Sequence, residues 1–155
     1  MALSPDYRWD LSFDNPNGQL TLVVEVKNKT NVSPEWVAKL RRNMLVHGTL
    51  PKAPYFLIVF PDQIYLWIDE NYLEWSEPAY IVDARSIFQP YFEQAGVTAS
   101  QISEQSLELI VAAWLEEIIY LPKPPKNIDD SQCWLVDSGL YAALTGGKCE
   151  HEAVA

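Results

Sequence analysis

A chain of 155 residues that is 48% hydrophobic, 12% aromatic and 21% charged has enough apolar material for one buried core and too much for a disordered chain. Its net charge of −10 argues against a protein that simply coats nucleic acid, and no run approaches the roughly 18 apolar residues of a membrane-spanning helix. Cys133 and Cys149 are too few and too isolated for a disulfide framework or a thiolate metal site. We read both as reduced thiols, a single bridge between them being the alternative. Residues 1–6 lack the charged and apolar regions of a signal peptide, so a cytoplasmic location is expected.

Residues 7–13 set Trp9, Leu11 and Phe13 in alternation with Arg8, Asp10 and Ser12, a two-residue period that predicts a strand. Asn15, Pro16, Asn17 and Gly18 predict a turn, since Asn-Gly supplies the positive-φ positions of a tight hairpin. Residues 20–27, Leu-Thr-Leu-Val-Val-Glu-Val-Lys, predict a second strand that is apolar until its charged end. Alternation sends Glu25 and Lys27 to one side, about 6.6 Å apart at ~3.3 Å per residue, and Val24 and Val26 to the other. A two-residue loop would put Asp10 directly across from Glu25. A four-residue loop would put it across from Val23, still on the Glu25 side, and a slip of one residue would send it to the other face. Pro16 weighs against the tightest register because it cannot donate a ladder bond. Two readings of the strand end follow: charges that have reached water at the sheet edge, or charges held together because each compensates the others' lost hydration.

Ser33, Pro34 and Glu35 form a helix start, with Ser as N-cap and Pro at the first helical position. The helix is expected to run to about His47, with Trp36, Leu40 and Met44 as its apolar stripe, Val37 and Leu45 on the flanks, and Lys39, Arg42 and Asn43 on its polar side. Residues 55–60 are a continuous apolar run, the pattern of a strand buried on both faces and joined to the previous one by a parallel crossover. Residues 64–68 predict its antiparallel partner, and residues 69–78 an exposed acidic loop. Trp67, Tyr72 and Trp75 beside that loop suit either the core or a protein interface. Helices are expected over residues 83–94 and 100–120, an extended Pro-Lys spacer over 121–126, and one short helix over 134–144 before Gly146 and Gly147. The domain is therefore expected to span residues 1–147, with a flexible tail over 148–155.

Asp10, a hairpin, Glu25-Val26-Lys27 at a strand end and a following Ser-Pro-capped helix together resemble the PD-(D/E)XK nuclease superfamily over roughly residues 9–68. The segments Val24-Glu25-Val26-Lys27-Asn28-Lys29 and Pro54-Tyr55-Phe56-Leu57 are similar to those of small bacterial members of that superfamily. The resemblance implies an α/β, restriction endonuclease-like fold with a mixed central sheet flanked by helices, here lacking the usual N-terminal helix. It implies a Mg²⁺- or Mn²⁺-dependent nuclease acting on DNA or RNA. Asp10, Glu25 and the Val26 carbonyl would hold the metal, and Lys27 would position the attacking water and offset charge on the phosphate. A catalytically inactive member that acts as an interaction module or homodimer is the alternative.

Charge is unevenly spread. Residues 1–52 hold seven Lys and Arg against five acids, a local sum of +2 that leaves −12 for the rest. Within that basic part, Lys29, Lys39 and Arg42, together with Arg41, are candidate contacts for nucleic-acid phosphates. No serine-histidine-aspartate order, Gly-rich phosphate loop or Cys/His zinc spacing is present.

Overall fold

The computed structural model describes residues 10–47, 52–68, 77–121 and 130–151. The first hairpin joins β1 (Leu11–Asp14) to β2 (Leu20–Val26). Asn15 and Gln19 close a loop of Pro16, Asn17 and Gly18: the Gly18 N–H donates to the Asn15 carbonyl at 2.9 Å, and the Asn15 N–H donates to the Gln19 carbonyl at 2.9 Å. The Asn15 side chain also accepts from the N–H groups of Asn17 and Gln19. Pro16 occupies the first central position of this turn, where its fixed φ fits, and Gly18 takes the left-handed conformation that follows it, at φ +78°.

A three-residue loop by itself shifts the register by one and would turn Asp10 to the wrong face. A bulge cancels the shift. The pairing runs Asp14 with Leu20 but Phe13 with Leu22, so Thr21 is the extra residue and Leu11 faces Val24. The predicted parity at Asp10 and Glu25 is recovered by a route that the turn residues alone do not reveal.

The chain then forms α1 (Pro34–Val46), β3 (Tyr55–Val59) and β4 (Gln63–Ile68). β3 lies parallel to β2 with Val26 beside Val59, as a crossover connection requires, and antiparallel to β4. Ser33 caps α1 by accepting the Trp36 N–H at 3.1 Å. The helix buries Val37, Arg41 and Met44, with Trp36 and Leu40 packed at their margin. Arg41, a candidate phosphate contact by its charge and spacing, is instead 3% exposed, with its guanidinium carbon 5.1 Å from the centre of the Trp67 ring.

Beyond β4 the structure departs from the expected elements. Residues 80–83, given no element beyond the expected helix start at 83, form strand β5 (Tyr80–Asp83), antiparallel to β4. Helix α2 (Arg85–Ala95) starts only after it, and α3 (Glu104–Ile119) starts four residues later than expected because Ser103, not an earlier residue, is its N-cap. The single helix expected over 134–144 is two, α4 (Cys133–Asp137) and α5 (Leu140–Leu144), broken at Ser138 and Gly139. Residues 148–151 are not part of a tail: β6 (Lys148–His151) pairs antiparallel with β1, so the ordered domain extends past residue 147. Gly147 makes that pairing possible, because a Cβ there would collide with the Asp14 carbonyl oxygen. Residues 7–9, most of the acidic loop with Tyr72 and Trp75, the Pro-Lys spacer beyond Leu121 and the last four residues lie outside the described residues.

The six strands form one mixed sheet in the order β5-β4-β3-β2-β1-β6. Leu22, Val24 and Val26 of β2 and Leu57 and Val59 of β3 face α2, α3, α4 and α5, where Phe88, Leu107, Val111, Leu115 and Leu140 complete the larger core. Val23, Ile58, Tyr65 and Trp67 face Val37 and Met44 of α1. Trp67 is therefore core, not interface. Each fully buried Leu, Val or Phe contributes about 1.5–3 kcal/mol of transfer free energy, so both faces of β2 and β3 are fixed by burial. That fixes the direction of every side chain along β2, including the charged residues at its end.

Candidate functional site

Glu25 follows Val24 and precedes Val26, both fully buried against the α2–α5 side, so its own side chain is turned to the α1 side of the sheet. Asp10 stands at the open end of β1. Its N–H donates to the Val24 carbonyl at 3.1 Å, and its Oδ2 accepts the Val26 N–H at 2.6 Å. The carboxylate thus takes the place of a main-chain acceptor at the last rung of the ladder. Its carboxyl group is also close enough to that of Glu25 to accept a hydrogen bond from it when Glu25 is protonated.

Two carboxyl groups in contact, partly withdrawn from water, cannot both ionise cheaply without a cation. Burial pushes the Glu25 carboxyl up to about 9, with the hydrogen bond that protonated Glu25 donates to Asp10 and the Asp10 charge adding to it. Lys27 acts in the other direction. Its ammonium partly offsets the upward shift, which places it within electrostatic reach of the pair. The Lys27 N–H donates to the Val59 carbonyl at 2.9 Å, so the parallel ladder carries one residue beyond β2 and holds the Lys27 backbone in place. Asp10, Glu25 and Lys27 are brought together as the alternation and register predict.

The donor set suits one hard divalent cation. Asp10 and Glu25 offer anionic oxygens that already repel one another, and Mg²⁺ is commonly held by one or two carboxylates, with waters and substrate phosphate filling the rest of its shell. Among the described residues no group of three or more His, Cys, Asp and Glu side chains is arranged around one point. The Val26 side chain is buried in the core, and its N–H is the group that engages Asp10.

Of the basic residues, Lys29 lies on the loop that leaves the site, exposed, with its ammonium 5.1 Å from the centre of the Trp36 ring. Lys39 and Arg42 are exposed on α1 but are carried away from the site. The helix starts at the Glu25 end of the sheet and runs back, so at 1.5 Å per residue they sit about 9 and 14 Å from Ser33 along its axis.

Several residues that hold this region together carry no signal in the sequence. Asn28 donates through its side chain to the Ile102 carbonyl at 3.5 Å, and the Asn31 N–H donates to Asp62 Oδ2 at 3.0 Å. These bonds pin the loop after Lys27 on both sides. Glu104, exposed in the first turn of α3, adds a second negative charge, after that of Asp10, that pushes the Glu25 carboxyl upward. A Ser-Glu helix start is visible at Ser103 and Glu104, but its neighbour across the fold is not.

The cleft between α2, α3 and α4, about 660 Å³, contains none of these residues. Its ionisable group Glu117 is engaged by the Tyr91 hydroxyl at 2.9 Å. Comparison with protein-family models, curated proteins and solved structures finds no match for this chain.

Proposed function

We propose that the protein has a restriction endonuclease-like fold and is a Mg²⁺- or Mn²⁺-dependent nuclease that hydrolyses phosphodiester bonds of nucleic acid. The observation that carries this reading is the half-buried Asp10–Glu25 carboxyl pair, with Lys27 beside it, at the end of a strand fixed on both faces. An ordinary sheet edge does not need one carboxyl set against another with the proton affinity of Glu25 raised. A site built for a cation does.

In this reading Asp10 and Glu25 would hold the metal with the Val26 carbonyl. A bound metal would polarise the phosphoryl oxygen and acidify a bound water. Lys27 orients the attacking water and stabilises the charge that grows on the non-bridging phosphoryl oxygens. The water oxygen forms a new bond to phosphorus and gives up a proton to solvent as the bond to the leaving sugar oxygen breaks. The leaving oxygen takes a proton from solvent, and the site returns to its starting charge. The backbone bond from Lys27 to Val59 fixes the point on the sheet from which the ammonium reaches.

The test is cleavage of labelled DNA and RNA with Mg²⁺, with Mn²⁺ and with chelator. Cleavage that needs the metal and is lost in Asp10→Asn supports the reading. Activity that survives chelation or the substitution contradicts it.

A further inference from the structure

Trp36 belongs to the first turn of α1, where Ser33 fixes its backbone, and α1 begins at the end of the sheet that carries Glu25 and Lys27. Its indole ring is half-buried and meets Phe60 edge-on, with ring centres 6.2 Å apart at 64°. Over one face of the ring stands the Lys29 ammonium, on an exposed side chain. The backbone beneath is held by Asn28 on one side and Asn31 on the other, so the ring and the loop are fixed and the ammonium is the movable part. Lys29 is four residues beyond Glu25, at most about 13 Å away at 3.3 Å per residue.

We propose that Trp36 and Lys29 form a subsite for single-stranded nucleic acid beside the carboxylate pair, with an unpaired base stacked on the indole and an adjoining phosphate on the ammonium. The inference rests on the nuclease reading and adds its substrate class. An arriving base displaces the ammonium from the ring face, and Lys29 is then free to meet a phosphate of the same strand. Paired bases keep their faces in the duplex stack, so the ring selects strands that are unpaired. Charge points the same way. Duplex affinity comes chiefly from rows of cations, and a chain at −10 whose basic part sums to only +2 cannot supply a long row. Stacking supplies affinity without net charge.

The test is binding of labelled single-stranded DNA, single-stranded RNA and duplex DNA, read by fluorescence anisotropy with Ca²⁺ replacing Mg²⁺ to suppress cleavage. The wild type is expected to favour the single strands. Trp36→Leu, which keeps an apolar cover on Phe60, should weaken single-strand binding about tenfold or more, and Trp36→Phe should stay near wild type. Lys29→Gln should lower the salt dependence by about one phosphate contact. Equal binding of single strands by Trp36→Leu and wild type, or a wild-type preference for duplex, overturns the subsite. If metal-dependent cleavage persists in either case, the nuclease reading survives; a wild type that neither binds nor cuts any nucleic acid removes both. Melting curves of the two Trp36 variants separate loss of the ring from loss of the fold.

Discussion

Lys27→Met is expected to slow metal-dependent cleavage by about 10²–10³-fold while the protein stays folded and still binds its metal. Methionine keeps an unbranched apolar stem of similar length, so the change removes the ammonium and little else. The backbone bond from residue 27 to the Val59 carbonyl does not depend on the side chain. A cation aimed at charge that appears only in the transition state should show itself in kcat more than in KM. Single-turnover rates beside metal titrations measure both, and a variant as fast as wild type would take Lys27 out of the mechanism. Lys27→Arg is not a conservative control, because a planar guanidinium presents its donors differently from an ammonium.

Glu25→Gln is expected to flatten the pH dependence of stability in metal-free protein. With its carboxyl pushed up to about 9, chiefly by burial, folded Glu25 holds a proton that the unfolded chain releases near its ordinary value of 4.5. The folded state therefore binds more protons across that window, and stability attributable to Glu25 falls as pH rises from about 4.5 toward 9. A tenfold difference in proton affinity between the folded and unfolded chain corresponds to about 1.4 kcal/mol. For a chain of this size each kcal/mol moves Tm by about 2–4 °C. Thermal melts from pH 5 to 9 should therefore show the wild type losing ground against Glu25→Gln as pH rises. Saturating Mg²⁺ should stabilise the wild type most at the alkaline end. Parallel curves for the two proteins would mean that Glu25 is an ordinary solvated carboxylate.

The elements around the site were legible because their signals are local. The apolar run of β2 and its charged end, the Ser33-Pro34 start of α1 and the buried run of β3 each announce themselves within a few residues. The register at Asp10 matches the expected parity only because two irregularities cancel. The loop has three residues, where two or four are expected, and the extra residue at Thr21 comes from the need to bury Leu11 and Phe13 on the larger core. β5 and β6 have four residues each, and their pairing is with β4 and β1, far away in sequence. Nothing in Lys148-Cys149-Glu150-His151 alternates apolar and polar strongly enough to mark an edge strand. Arg41 misleads for a different reason. A helical position that reads as basic and exposed is buried because Trp67 from β4 offers its ring to the guanidinium, a partner twenty-six residues away. The neighbourhood of Glu104 and Glu25 is likewise set by the packing of α3 on the sheet, not by either segment.

Calorimetric titration of Mg²⁺ and Mn²⁺ into the wild type, Asp10→Asn and Glu25→Gln goes most directly to the carboxyl pair as a cation site. The wild type should bind one metal ion near pH 7 with release of a proton, read from the dependence of the heat on buffer ionisation, because the shared proton must leave when both carboxylates turn to the metal. Both variants should lose that site. Metal binding unchanged in either variant, or absent from the wild type, would contradict the account.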